Sequence, residues 1–166
     1  MNIMEKDNTR KAIFLQSLND FNGVKIKLGV GALIVNNENK LLLDYRADCN
    51  LWGTIGGAVD VGESVSAALH REVREETGLT VNIDYLQGIY SGPNNRFVHY
   101  LSNDNLVQLV DLVFHCTVKE GTLTPSSETG QLRFFKLENL PKKSKIIPPA
   151  WAILDDFFKG KKNQIL

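Results

Sequence analysis

Apolar residues in this chain follow two rhythms. Short, β-branched and nearly continuous runs at residues 27–35 (KLGVGALIV) and 40–45 (KLLLDY) flank the turn Asn36-Asn37-Glu38-Asn39 and predict a hairpin. Residues 79–90 and 107–118 read as further strands, the second so evenly apolar that it belongs in the middle of a sheet; residues 131–135 form a shorter one.

Helical spacing appears three times. Residues 64–77 place Val65, Leu69 and Val73, with Ala68 between them, three and four apart, which is one face of a helix. Ser64 or Ser66 can cap its start, and Gly78 suits the left-handed residue that ends it. Residues 150–158, introduced by Pro148-Pro149, put Trp151, Ile153, Leu154, Phe157 and Phe158 on an apolar face. Residues 7–21 carry Ile13, Phe14, Leu15 and Leu18 among polar residues and predict a third, amphipathic helix that ends near Asn22-Gly23. This yields an N-terminal helix within residues 1–23 and one α/β domain over residues 24–166. The first and last helices either close the core or meet a second copy in a homodimer.

Composition narrows the function classes. With 166 residues, 43% hydrophobic and 23% charged, the chain supports one globular core. Its formal net charge of +0 creates no global field for polyanions, and the basic runs near Lys142 and Lys159 are short, so nucleic acid is not an expected partner. No window approaches the roughly 18 apolar residues that span a bilayer, and residues 1–14 have no apolar signal core, so no membrane partner is expected. Cys49 and Cys116 lack metal-ligand spacing, and a reduced, cytoplasmic setting fits them.

Charge placement is more informative than total charge. Glu72, Glu75 and Glu76 share one face of the predicted helix, and like charges at such spacings destabilise an isolated helix by about 0.2–0.5 kcal/mol per pair. A solvated face balanced by Arg71 and Arg74 is the ordinary reading of such a run. The loop before the helix changes that: Gly56-Gly57 allows close backbone approach, and Gly62-Glu63 adds a carboxylate just ahead of the helix. Hard oxygen ligands so arranged suit Mg2+, with Mn2+ as a substitute.

The order Gly57, five residues, Glu63, seven residues, Arg71-Glu72-Val73, one residue, Glu75-Glu76, one residue, Gly78-Leu79 resembles the complete signature of the Nudix hydrolases, the MutT-like family. Seven fixed identities at fixed spacing arise by chance on the order of once in 10^9 starting positions. LLLDYRADCNLWGTIGG and LRFFKLENLP resemble the family's flanking segments, so the likeness runs over residues 28–141. Ile55 departs from it, since relatives often carry proline before the two glycines.

The resemblance implies an α/β/α sandwich with a mixed sheet between helices, and metal-dependent hydrolysis of a nucleoside diphosphate linked to another group. It implies Glu72 and Glu76 as principal metal ligands, the Gly56 backbone carbonyl as a third oxygen, and Glu75 and Glu63 as ligands or water-holding groups. Arg71 would fix a neighbouring carboxylate through a bidentate pair. The general base would be Glu75 or a later glutamate, Glu128. Arg46 and Arg96 are candidates for phosphate, and Phe97 or Tyr100 for stacking on a base, each against an ordinary surface or core role. A small nucleotide such as ADP-ribose or a nucleotide sugar is the expected substrate. A nucleoside triphosphate, an RNA 5′ end and a catalytically silent nucleotide-binding sensor are the alternatives.

Overall fold

The computed structural model describes residues 11–126 and 129–166. Along them run β1 (Ala12–Leu15), β2 (Lys25–Val35), β3 (Leu41–Arg46), β4 (Leu51–Gly53), β5 (Ile55–Ala58), α1 (Val65–Thr77), β6 (Leu79–Tyr90), β7 (Phe97–Tyr100), β8 (Asn105–Gly121), β9 (Thr129–Phe135), α2 (Pro148–Phe158) and β10 (Gln164–Ile165). The expected hairpin joins β2 to β3. Asn36 closes it locally, its side-chain oxygen accepting from the Glu38 and Lys40 amides at 3.0 Å each, while Asn39 takes the positive φ of 54° that the turn needs.

All ten strands form one mixed sheet with β8 as its spine. On one edge β8 carries β2 in parallel, and on the other it carries first β7 and then β6, both antiparallel. The free edge of β2 accepts β5 at residues 29–32, so the chain just ahead of α1 is stitched to the middle of the sheet. Period-two alternation divides the core. Val30, Ala32 and Ile34 face α1, which buries Ala68, Leu69 and Val73, while Leu33, Leu41 and Leu43 pack with Ile153 and Leu154 of α2 on the opposite face. The result is the expected α/β sandwich with a mixed sheet between helices. No helix among the described residues is long and apolar enough to cross a membrane, and both cysteines are buried and free.

Two predictions need correction. Where residues 7–21 were expected to be helical, Ala12–Leu15 is a strand, paired antiparallel with β7 from Ala12↔Tyr100 to Leu15↔Phe97; residues 7–10 lie outside the described residues. Four consecutive apolar or small residues have no intrinsic period, and the unpaired edge of β7 supplies partners for their backbone groups. Phe97, a candidate for stacking on a base, opens β7 and is fully buried, with β7 held against the start of β8.

Candidate active site

The acidic face of α1 stands over the Gly56-Gly57 segment of β5. Local chemistry sets the helix ends: the Ser64 hydroxyl accepts from the Ala67 amide at 3.1 Å, and Gly78, at φ 71°, donates its amide to the Arg74 carbonyl before β6 begins. A Cβ on Gly57 would run into the Glu72 carboxylate, and one on Gly56, at φ 146°, would strike the Val30 carbonyl. Both glycines are therefore steric requirements of the close approach between helix and strand.

Arg71 organises the carboxylates. Its Nε and Nη2 each donate to Glu63 at 2.9 Å, making the expected bidentate pair, while Nη1 donates to Glu72 at 2.8 Å and Glu75 at 3.2 Å. Nη2 also reaches the Ala58 carbonyl at 3.0 Å, which ties the loop to the helix. The guanidinium holds Glu63 below the ordinary carboxylate range. Glu72 is largely sheltered, whereas the Glu75 side chain is 60% exposed.

Glu76 points inward instead. Its Oε2 accepts from the Gly56 amide at 2.9 Å. Burial pushes its pKa up to about 8; the charge of Asp44 adds to the rise, and the Gly56 hydrogen bond opposes it. Asp44 was not singled out in the sequence. Its side chain is buried in the middle of β3, Oδ1 has no hydrogen-bond partner among the described residues, and burial raises its pKa to about 6 against the pull of Arg46. The available signal was an acid inside a strand, directly after three residues, Leu41, Leu42 and Leu43, that are all core.

A cavity of about 490 Å³ lies between these groups and the rest of the sheet. Asp44, Glu72, Glu76, Gly56 and Gly57 line it on one side, and Lys11, Lys27, Arg46 and Tyr100 also line it. Of the predicted recognition residues, Arg46 is there, half-buried and paired to Asp48 at 2.8 and 3.1 Å, and Tyr100 is there with its hydroxyl accepting from Lys27 Nζ at 3.1 Å. Lys11 and Lys27 were missed, because nothing in their local sequence distinguishes them from surface lysines.

Arg96 and Phe97 are not in this cavity. Arg96 is buried, donating to Asp111 at 2.5 Å and to the Pro149 carbonyl at 3.3 Å, so it is not available to a phosphate. Phe97 is fully buried against Phe21, with ring centroids 5.7 Å apart. Glu128 lies outside the described residues.

The donor set fits a hard divalent cation in kind: it is all carboxylate and carbonyl oxygen, and one buried acceptor, Asp44 Oδ1, has no partner among the described residues. Among the described residues no three carboxylates already converge on one centre. Arg71 and the Gly56 amide engage Glu72 and Glu76, so gathering them around an ion requires side-chain rotation.

Comparison with known proteins agrees with this geometry. The NUDIX domain profile matches residues 25–157. A protein from Methanocaldococcus jannaschii named ADP-ribose pyrophosphatase is 35% identical over 112 residues, 66% of this chain; the chain spans 62% of that relative's length. A Bacillus subtilis protein, provisionally named an 8-oxo-dGTP diphosphatase, is 38% identical over 136 residues, covering 81% of this chain and 82% of its own. Among solved structures, a NUDIX hydrolase from Nitrosomonas europaea superposes with a TM-score of 0.67 at 23% identity, over 84% of this chain and 93% of that one, and it speaks for the fold alone.

Proposed function

The chain belongs to the Nudix hydrolase family, enzymes acting on phosphoric anhydrides, and from that premise we propose that it hydrolyses the diphosphate linkage of a nucleoside diphosphate joined to a second group, with an ADP-ribose-like compound as substrate. The observation that carries this reading is the lining of a single cavity by carboxylates, Asp44, Glu72 and Glu76, together with cations, Lys11, Lys27 and Arg46. A diphosphate needs both: cations to pair with its oxygens directly, and carboxylates to hold a divalent ion against it. Identity to the archaeal ADP-ribose pyrophosphatase supports the substrate class.

In this mechanism Glu72, Glu76 and the Gly56 carbonyl would hold Mg2+, with Mn2+ as a substitute, and Glu63 braces Arg71 so that the carboxylates stay aligned. Such an ion would supply charge neutralisation for the diphosphate and Lewis acidity toward phosphorus and water. Glu75, on the exposed face of α1 and hydrogen-bonded to Arg71, would accept the proton that water loses. One water is consumed, one P–O–P bond breaks, and the leaving phosphate departs as a monoester, paired with Lys27 or Arg46. No covalent intermediate forms on the protein.

A nucleoside triphosphate is the second reading, favoured by the Bacillus relative, which aligns over more of both chains. Product release from ADP-ribose, nucleotide sugars, dinucleotides and triphosphates with Mg2+, beside Glu76→Gln, decides between them. We expect turnover of ADP-ribose to AMP and ribose 5-phosphate, and a loss of about 10^3-fold or more in Glu76→Gln with folding intact. Anhydride hydrolysis confined to triphosphates selects the second reading, and unchanged turnover in Glu76→Gln removes Glu76 from the mechanism.

A further inference from the structure

Glu72 and Glu76 reach the cavity from one helix, and a further carboxylate, Asp44 of β3, lines it from the sheet. Asp44 is only 3% exposed. Period two from Leu42, which packs in the core under α1, puts Asp44 on the sheet face that α1 covers, where Glu76 meets Gly56. The charges of Asp44 and Glu76 already act on one another. The ladder partner of Asp44 on β4 is Gly53, where a Cβ would stand 3.0 Å from Asp44 Oδ1, so a larger residue there would crowd that oxygen.

Two other sheltered carboxylates show what burial ordinarily requires. Asp156 of α2 takes Lys161 Nζ at 2.8 Å. Asp111 of β8 lines a slot of about 110 Å³ between the sheet and α2, with Val98, Tyr100 and Leu109, and Arg96 donates to its Oδ2 at 2.5 Å. Asp44 Oδ1 has no such partner among the described residues. Arg46, two residues on, gives its Nε and Nη2 to Asp48, so it acts on Asp44 only at a distance. A carboxylate shut away from water with an oxygen unmatched is costly, and an apolar side chain in its place would carry no such cost.

A hydrogen-bond donor would satisfy one lone pair of that oxygen, whereas a cation answers its charge as well. Taking a cation requires Glu72 and Glu76 to leave Arg71 and the Gly56 amide, but Asp44 Oδ1 has no bond to give up. Hard divalent ions prefer oxygen ligands, and affinity rises with the number of charged ones. Given the reading that this cavity takes a divalent cation, we infer that Asp44 is a ligand to it through Oδ1. Three carboxylates, from helix and sheet together, then hold the ion before any nucleotide enters.

The test uses metal-stripped protein and Mn2+ alone, with binding followed by electron paramagnetic resonance. Wild type should bind, and Asp44→Asn, which keeps the shape and removes the charge, should bind about 10- to 100-fold more weakly. Asp48→Asn is the control: that carboxylate lines the same cavity but is paired with Arg46, so affinity should stay within about threefold. Thermal unfolding adds a readout that a merely structural role would not give. In chelator Asp44→Asn should melt no lower than wild type, because an unmatched buried charge is gone, while Mn2+ should raise the melting temperature of wild type more than that of the variant. Asp44→Ser, smaller and likewise uncharged, repeats both measurements if the amide variant does not fold. Unchanged Mn2+ affinity in Asp44→Asn, or an equal loss in Asp48→Asn, overturns the assignment. Wild type that binds no Mn2+ without nucleotide, yet turns over a diphosphate with Mg2+, overturns the inference and leaves the proposed activity standing. Mn2+ held through Asp44 with no turnover of any phosphoric anhydride overturns that activity alone.

Discussion

Glu63, Arg71, Glu72, Glu75 and Glu76 come from residues 63–76, whereas Lys27, Arg46, Tyr100 and Asp111, which line the rest of the cavity and its slot, come from β2, β3, β7 and β8. The acidic cluster is bound together by contacts within and just ahead of one helix, chiefly the Arg71 fork to Glu63 and its bonds to Glu72 and Glu75. The other groups exist only where strands distant in sequence become neighbours. The contrast teaches that chemistry shared across a family can be carried by a contiguous motif, while substrate choice is written on surfaces that topology assembles.

The largest effect should come from breaking the contiguous side. Gly57→Ala pushes a methyl group into the Glu72 carboxylate, and misplacing a reacting group by about 1 Å costs on the order of 10^2-fold. We expect kcat to fall by about that factor, with a stability loss of about 1–3 kcal/mol from overpacking, measured by steady-state kinetics and thermal unfolding. Unaltered kcat would show that Glu72 has room to work from another rotamer.

A pH series sharpens the comparison next. Burial holds Glu76 at about 8 and Asp44 at about 6, above the ordinary 4.5 and 3.8. Between the ordinary and raised values the folded chain keeps protons that the unfolded chain has released. This stabilisation is fully present below the ordinary values and is lost as pH rises toward about 8. The metal-free protein should therefore melt roughly 3–10 °C lower at pH 8 than at pH 5, and Mg2+ should recover the difference at pH 8. A flat profile in chelator would mean that both carboxyls are already ionised in the fold.

The smallest effect belongs to the assembled side. Tyr100→Phe keeps the ring and removes the hydroxyl that accepts from Lys27. KM should rise about 2- to 10-fold, with kcat unchanged. A matching fall in kcat would place that hydroxyl close to the reacting atoms.

Strands with a strong apolar rhythm were legible before the fold was known: residues 79–90 match β6, and 27–35 and 107–118 fall inside β2 and β8. Short strands that depend on a neighbour were not. β1 and β7 satisfy each other's backbone groups, and the apolar run of β1 reads equally well as a turn of helix until that pairing is known. Arg96 and Phe97 were misread for a related reason. Their side-chain types suggested phosphate and base contacts, but period-two alternation along β7 places Val98 and Tyr100 in the slot lining and buries Phe97 against Phe21.

By itself the sequence determined the helix, its caps, the glycines beneath it and the carboxylates on its face. Each of these depends on residues within a few turns of one another, where spacing alone sets geometry. Only the tertiary structure decided that Asp44 is buried beside Glu76, that Lys27 reaches Tyr100, and that Asp111 stands clamped by Arg96 at an apolar slot. Strand pairing and the packing of α2 bring those groups together across the chain. Their burial and their partners are properties of contacts, and local spacing carries no record of contacts made at long range.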